Sequence, residues 1–223
     1  MTTKRNVDAL LRLLAWMSPA FPIGAFSYSG GLESAVNDRR ISSAADLHLW
    51  ISIVLQRGTL WNDAVLLAEA WRSYEDARAL AELGELAQAL AGSAERHRET
   101  VLLGDAFVEA ASAWPHDVFE RLPKGATYPV SVGAIAAAHG VDLEDALAAH
   151  LHSGVSQFVS AGIRLGIAGQ KDGVAILAHL ETEIAEIANR ASSSTLDDLG
   201  SATILADTAS MRHEVQGTRL FRS

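Results

Sequence analysis

The segment SAADLHLWISIVLQR, residues 43–57, decides the fold class, because it carries the clearest helical pattern in the chain. Ser43 and Asp46 can cap a helix, since the hydroxyl and the carboxylate can each accept a hydrogen bond from a backbone amide that the first turn leaves unpaired. The apolar residues behind them recur at intervals of three and four, which puts them on one helical face. They are Leu47, Trp50, Ile51, Val54 and Leu55. The segment therefore predicts a capped, amphipathic helix that buries one face against its neighbours.

The composition extends this prediction to the whole chain. Of its 223 residues, 39 are Ala and 28 are Leu, whereas Val and Ile together number 25. Ala and Leu favour helices and β-branched residues favour strands, so the fold class we predict is all-α. Apolar residues make up 49% of the chain, which excludes a disordered protein. The length suits one large domain, and we predict a single-domain bundle of roughly nine to ten helices over residues 1–223.

Proline, glycine and polar clusters divide the chain into these helices. Pro19 and Pro22 end a first helix near Ser18, because proline cannot continue it. In chain order, the other predicted elements are three helices between Thr59 and Trp114, divided at Gly84 and Ser93; an irregular stretch over 115–129; a helix of small residues from Val130 to His139; a long helix capped by Asp142; a glycine-rich break over 166–173; a further helix; a connection over 191–201; and a short helix from Thr203 to Arg212.

Charge and residue types exclude several classes of protein. The formal net charge is -9, the wrong sign for binding the phosphate backbone of nucleic acid. The chain has no cysteine, so disulfides and thiolate metal sites are excluded, and a bound metal would need His, Asp or Glu. No stretch is apolar enough over the length needed to span a membrane, and no signal peptide is recognisable. We therefore expect a cytoplasmic protein without a membrane partner.

Motifs of self-contained enzymes are missing as well. The sequence contains no G-x-x-x-x-G-K-[ST] phosphate-binding loop, no G-x-G-x-x-G, no H-E-x-x-H and no G-x-S-x-G. We therefore expect no catalytic residues and no nucleotide hydrolysis by the P-loop route. The chain could still act on a partner that hydrolyses a nucleotide.

Two groups of residues are candidate metal ligands. His150 and His152 lie two residues apart, so on a helix their side chains point about 200° apart and cannot chelate one ion. Their spacing indicates one partly buried and one solvent-facing histidine. His213 and Glu214 could bind an ion, but two adjacent ligands make a weak site. The alternative for His213 is a hydrogen-bonding or partner-facing role.

The loop SPAFPIGAFSYSGGLE, residues 18–33, concentrates prolines, glycines, hydroxyls and aromatic rings. This composition favours a tight corner between helices, with buried aromatic residues and a Ser-capped helix. An enzyme would need a base beside the hydroxyl of Ser27, Tyr28 or Ser29, and Glu33 is the nearby candidate. Nothing in the spacing shows that the Glu33 carboxylate reaches these hydroxyls.

The C-terminal segment SMRHEVQGTRLFRS, residues 210–223, carries a net charge of +2 and leaves -11 on the rest of the chain. Arg219 and Arg222 flank Leu220 and Phe221, which gives an apolar anchor with guanidinium donors on both sides. These residue types are enriched at protein interfaces. The Leu–Phe pair argues against a disordered end, so we expect the segment to dock on the body of the protein or on a partner.

Four strings, in order along the chain, resemble the UreF family of urease accessory proteins. They are the loop string at 18–33, TYPVSVGAIAAAHG at 127–140, IRLGIAGQKDG at 163–173 and the C-terminal string at 210–223. Each string is short, but four in register over essentially the full length make a chance similarity improbable. The resemblance implies an all-helical, homodimer-forming protein that is not itself an enzyme.

The resemblance also implies a function and partners. UreF proteins join UreD, called UreH in some organisms, to the GTPase UreG in a complex that delivers nickel to apo-urease. The chain would then bridge UreD and UreG, would be required for GTP-dependent nickel insertion, and would modulate the UreG GTPase as an activator or as a restraint. No directly bound cofactor is implied, since the complex handles nickel and UreG binds GTP.

The resemblance assigns partner-binding residues too. A C-terminal tail of about residues 203–223 and the loop around Tyr28 would face UreD, with the tail becoming ordered on binding. The expected UreD contacts are Tyr28, Arg212, His213, Glu214, Arg219, Leu220, Phe221 and Arg222. In the glycine-broken connection, Arg164, Gln170 and Lys171 would contact UreG, and Arg164 is one candidate for an arginine finger. The alternative function is a nickel-binding carrier that uses His213, Glu214 and other histidines.

Overall fold

The computed structural model describes residues 6–223, so residues 1–5 of the predicted domain lie outside the described part. Over the described range the chain forms eleven α-helices, two 3₁₀ helices and no β-strand. The 3₁₀ helices are Ala25–Ser27 and Leu196–Asp198. The α-helices are α1 Val7–Trp16, α2 Leu32–Asn37, α3 Ala44–Arg57, α4 Thr59–Arg72, α5 Ala77–Ala89, α6 Ala94–Ala111, α7 Val118–Arg121, α8 Tyr128–Ala138, α9 Leu143–Arg164, α10 Gln170–Ser192 and α11 Ile204–His213.

The all-helical prediction is confirmed, and nine of these helices have ten or more residues. Helix α3 begins as the sequence predicts. The Ser43 hydroxyl accepts a hydrogen bond from the Asp46 amide at 3.2 Å, and the Asp46 carboxylate accepts one from the Ser42 amide at 3.0 Å. The face of α3 that carries Leu47 and Ile51 is completely buried, whereas Trp50 at its edge is half-buried. Capping and apolar spacing together therefore account for this helix.

Helix α8 lies at the centre of the bundle. Every residue from Pro129 to Ala136 is buried, because α4, α6 and α9 pack around it. A helix that is apolar on all sides can be stable in water only when it is enclosed in this way. Gly133 lets α8 approach α4 closely, since a Cβ atom there would lie 2.2 Å from the Leu67 carbonyl oxygen. A small residue at this position is thus what allows the two helices to pack closely.

Several predicted boundaries are wrong for local reasons, and one short helix was not predicted. Gly84 lies inside α5 and does not end a helix; the break comes earlier, where Asp76 caps α5 through the Arg78 and Ala79 amides. Helix α8 begins at Tyr128, because proline is tolerated in the first turn, where its missing N–H would be unpaired anyway. The preceding irregular stretch, 115–129, also contains the short helix α7.

The glycine-rich break is shorter than predicted. Helix α10 begins at Gln170, because the Asp172 carboxylate accepts a hydrogen bond from the Gly169 amide at 2.9 Å and stabilises the first turn. Gln170 and Lys171 are therefore exposed residues of a helix, and Arg164 is the last residue of α9. The sequence had suggested that all three lie in the connection, and none of them does.

Within residues 6–223, none of the helices combines the length and the apolar character needed to cross a membrane.

Replacement of Gly133 by Ala should lower the free energy of unfolding by about 2–3 kcal/mol, because the added methyl group meets a backbone oxygen that cannot move aside. Gly84 is the matched control, since it is also buried in a helix but its nearest neighbour to an added Cβ is a Pro123 side-chain atom at 3.4 Å. Gly84→Ala should leave stability unchanged or raise it by up to about 1 kcal/mol through helix propensity. Urea unfolding of both variants measures the difference, and equal effects would contradict the close approach of α8 to α4.

Candidate functional site

The last ten residues, 214–223, fold back onto the body of the bundle. They are the part of the predicted C-terminal tail that follows α11, and the word tail is used for this part alone from here on. After α11 the chain turns and runs beside the loop that precedes α2, where Phe221 is 5% exposed and Ser223 is 1% exposed. The sequence left two docking places open, the body of the protein and a partner. In the single chain the tail docks on the body. The tail lies against a group of residues that we call the socket: Ser27, Ser29, Glu33, Glu95 and Glu99.

Glu33 holds the backbone of the tail at two adjacent residues. Its Oε1 accepts a hydrogen bond from the Leu220 amide at 2.6 Å, and its Oε2 accepts one from the Phe221 amide at 2.9 Å. His213 Nε2 also lies 3.0 Å from Oε2. Burial alone would raise the pKa of the Glu33 carboxyl, but the hydrogen bonds from His213 and the two amides outweigh burial and lower this pKa. Glu33 therefore stays ionised while the tail is docked.

His213 joins two carboxylates in the interior. The imidazole is completely buried, with Nδ1 2.7 Å from Glu95 Oε2 and Nε2 3.0 Å from Glu33 Oε2. Both ring nitrogens are occupied by hydrogen bonds.

Glu214 does not share a partner with His213. Its carboxylate accepts a hydrogen bond from the Ala94 amide at the start of α6, at 2.8 Å. Among the described residues, no group of three or more His, Asp or Glu side chains is arranged to hold a metal ion. The structure thus separates the two adjacent ligands that the nickel-carrier alternative would combine.

The rest of the tail is held by main-chain and side-chain hydrogen bonds. The Arg222 amide donates to the Ser27 carbonyl at 2.8 Å, and the Ser29 amide donates to the Ser223 carbonyl at 2.8 Å. The Arg219 guanidinium lies 2.6 Å from the Glu95 carboxylate, and the Ser223 hydroxyl donates to Glu99 at 3.0 Å. Carboxylates of the body thus pair with one cation and one hydroxyl of the tail.

Arg164 fastens the loop before α2 to the tail. Its guanidinium stacks on the Phe26 ring at 3.8 Å and on the Phe221 ring at 4.2 Å, and it donates a hydrogen bond to the Phe26 carbonyl. Stacking of a guanidinium on aromatic faces is favourable and fixes its orientation. The structure therefore brings Arg164 to Phe221, whereas Gln170 and Lys171 lie in the exposed first turn of α10.

The residues expected to meet UreD fall into two sets. Tyr28, His213 and Phe221 are buried, so their side chains offer little surface in this chain. The exposed set is Arg212, Glu214, Arg219, Leu220 and Arg222. Arg212 is tied to α2 through Asp38, with N–O separation 2.7 Å. Exposed and buried residues alternate from Leu220 to Ser223, so the last four residues of the tail direct every second side chain outward.

Sequence analysis missed several residues of this surface. Ile204, Met211 and Val215 are spaced seven and four residues apart and form an exposed apolar stripe along α11 and its end. Leu220 is 56% exposed and Phe26 65% exposed beside the tail. The helical spacing of the α11 stripe could have been found from the sequence. The exposure of Phe26 and the burial of Tyr28 could not, because they depend on Arg164 and the tail.

The enzyme alternative for the loop at 18–33 finds no support in the geometry. The Glu33 carboxylate is occupied by His213 and the tail amides, and it is the Glu33 amide that bonds the Ser29 hydroxyl, at 3.3 Å. The Ser29 hydroxyl in turn donates to the Ser223 carbonyl. The hydroxyl therefore has no carboxylate base, and the loop serves to hold the tail.

A cavity of about 80 Å³ lies between α4, α6, α9 and α11 and is lined by both apolar and polar side chains. Its volume suffices for several water molecules. Arg96 bridges Asp63 at 2.5 Å and Glu99 at 3.5 Å along its wall. His150 also lines it, and its Nδ1 has no hydrogen-bond partner among the described residues. Burial lowers the pKa of His150 to about 4, so this imidazole is neutral.

The prediction of one buried and one exposed histidine is confirmed, because His152 points outward from the same helix.

His150 and His152 give a test of how stability depends on pH. Unfolding restores His150 to its ordinary pKa of 6.5, so between pH 6.5 and about 4 the unfolded chain binds a proton that the folded chain does not. His150 should therefore reduce the free energy of unfolding by up to about 1.4 kcal/mol for each pH unit that falls within this range. Denaturant unfolding should show this contribution to be absent in His150→Gln and retained in His152→Gln. An unchanged pH slope in His150→Gln would contradict the neutral, buried state.

Comparison with known proteins identifies similar chains. The family model described as UreF matches residues 41–181. Proteins named urease accessory protein UreF are similar over 223 residues, which is 100% of this chain and 100% of each relative. The one from Agrobacterium fabrum (strain C58 / ATCC 33970) is 69% identical. Those from Rhizobium johnstonii (strain DSM 114642 / LMG 32736 / 3841) and Rhizobium meliloti (strain 1021) are 63% and 54% identical.

Proposed function

Since the chain belongs to the UreF family of urease accessory proteins, which are not enzymes and serve urease maturation, we propose that it acts as a cytoplasmic adaptor. It bridges UreD, or UreH, to the GTPase UreG in the complex that inserts nickel into apo-urease with the use of GTP. Nickel is the cargo of the complex and GTP is bound by UreG, so this chain contributes surfaces and no cofactor. By its position beside UreG it modulates the GTPase.

The docked tail is the observation that carries this proposal. The tail presents Arg219, Leu220 and Arg222 to solvent while Phe221 and Ser223 anchor it from beneath. Arginine and large apolar side chains on an ordered segment are typical of protein interfaces. The adjoining stripe of Ile204, Met211 and Val215 enlarges the apolar surface. A contiguous apolar patch on a folded protein marks an interaction site.

We assign the UreD contact to this surface, with two roles for its residues. Arg212, Glu214, Arg219, Leu220 and Arg222 meet the partner directly, since they are exposed. Tyr28, His213 and Phe221 act from below by holding the loop and the tail in place.

We assign UreG to the C-terminal end of α9, where Gln170 and Lys171 are exposed in the first turn of the following helix, α10. Arg164 belongs to this contact through its position at the end of α9, although its guanidinium is engaged with Phe26 and Phe221. A homodimer of the chain would present each of these surfaces twice, related by a two-fold axis.

The nickel-carrier alternative would require His213 to give up a hydrogen bond to Glu33 or Glu95 before it could coordinate an ion. No observation in the described residues favours it.

Leu220→Ala should weaken binding to UreD by about 1–3 kcal/mol without changing thermal stability, because this side chain is exposed and lies on the proposed interface. Leu49→Ala is the matched control, since Leu49 is 60% exposed on α3, away from the tail. Isothermal titration calorimetry with purified UreD measures both. A loss below about 0.5 kcal/mol for Leu220→Ala would place this residue outside the centre of the interface.

Co-purification of the chain with UreD and UreG from the same organism, with and without GTP, tests the proposal as a whole. We expect an assembly of all three proteins, with a mass that shows two copies of this chain. If folded UreD and UreG never associate with it under either nucleotide condition, the adaptor function is wrong.

Deletion of residues 212–223 should abolish the UreD contact while retaining helical content, and retained binding would exclude the tail as the main anchor.

A further inference from the structure

We propose that Glu33 sets the register of the tail and thereby determines which side chains the tail offers to a partner. The identity of that partner rests on the proposed function, whereas the positioning role of Glu33 does not. Glu33 is thus a positioning residue for the interface, although it is buried and cannot touch the partner itself.

Register matters because exposed and buried side chains alternate over the last four residues of the tail. Leu220 points outward, Phe221 inward, Arg222 outward and Ser223 inward. Since exposed and buried side chains alternate here, a shift by one residue would exchange them, so it would bury Leu220 and expose Phe221. The Glu33 carboxylate prevents this shift, since one oxygen accepts the Leu220 amide and the other accepts the Phe221 amide. Two adjacent amides on one carboxylate define a single register.

Glu33 can do this because its own position is fixed by packing. It lies in the first turn of α2, two residues after Gly31, whose φ of +82° is in the left-handed region that favours glycine. A Cβ atom on Gly31 would lie 2.7 Å from the Ser210 amide nitrogen of α11. The start of α2 is therefore pressed against α11, and the hydrogen bond from His213 ties the Glu33 carboxylate to the same helix.

Glu95 faces the same histidine but has a different role. Its carboxylate contacts only side chains, those of His213 and Arg219. Loss of its charge would loosen these two side chains and leave both tail amides on Glu33. Glu33 and Glu95 therefore form a natural pair of variants, equal in burial and in their contact with His213 but different in contact with the tail backbone.

Amide hydrogen exchange of the full chain tests the positioning role without a partner. In Glu33→Ala we expect the Leu220 and Phe221 amides to exchange at least about tenfold faster, because both lose their acceptor. Glu33→Gln keeps one acceptor oxygen and should give a smaller increase. Glu95→Gln should leave these two amides near the wild-type rate. Glu183→Gln, a carboxylate bonded by Ser52 and Gln56 outside the socket, controls for loss of a carboxylate as such.

Two outcomes would overturn the inference. One is an unchanged rate at Leu220 and Phe221 in both Glu33 variants. The other is an equal increase throughout α8, which would make Glu33 a general determinant of stability and not of the tail. If Glu33→Ala fails to fold, Glu33→Gln decides the result by the same two criteria.

Partner binding gives a second readout. Glu33→Gln should weaken UreD binding by about three- to tenfold, because a tail without fixed register must be ordered on binding. The double variant Glu33→Gln with Leu220→Ala should bind no more weakly than Leu220→Ala alone. Full wild-type affinity in Glu33→Gln would overturn the inference. Absence of UreD binding by the wild-type chain would instead overturn the proposed function and leave the exchange result standing.

Discussion

The close approach of α8 to α4, where Gly133 meets the Leu67 carbonyl without room for a side chain, is the constraint on which the rest of the bundle depends. Because α8 is apolar on every side, its neighbours must enclose it, and they can do so only if the helices come near enough to exclude water. This enclosure fixes α6, the helix that carries Glu95 and Glu99 in its first two turns. The socket for the tail therefore depends on packing at the centre of the molecule.

The pairing of buried carboxylates with basic side chains follows from the same packing of helices. A buried carboxylate is costly unless it is paired and hydrogen-bonded, and Glu33, Glu95 and Glu99 are all buried. Their partners are His213 and Arg219 from the C-terminal part of the chain and Arg96 from α6 itself. The basic segment at the end of an otherwise acidic chain thus has a structural use, because it neutralises carboxylates that packing has already placed in the interior.

Local patterns predicted most of the helices, because the spacing of apolar residues and the caps are written within a few residues of each other. Ser43 and Asp46 are an example, since both cap contacts form within one turn. The short helices α2 and α7 were missed because six and four residues carry too little periodicity. Gly84 was misread as a break, because glycine at the end of a helix and glycine inside one look alike in sequence.

The site itself depends on contacts that no local pattern encodes. Glu33 and His213 lie 180 residues apart, and nothing around Glu33 distinguishes a carboxylate that binds a distant histidine from one that could serve a nearby hydroxyl. The family resemblance implied a tail that becomes ordered on binding, whereas the tail of the single chain is already docked on the body. A docked tail has already lost much of its conformational entropy, so a partner that meets it binds a formed surface and does not have to order the segment. Under the proposed function, the socket would therefore favour binding by preparing the interface before the partner arrives.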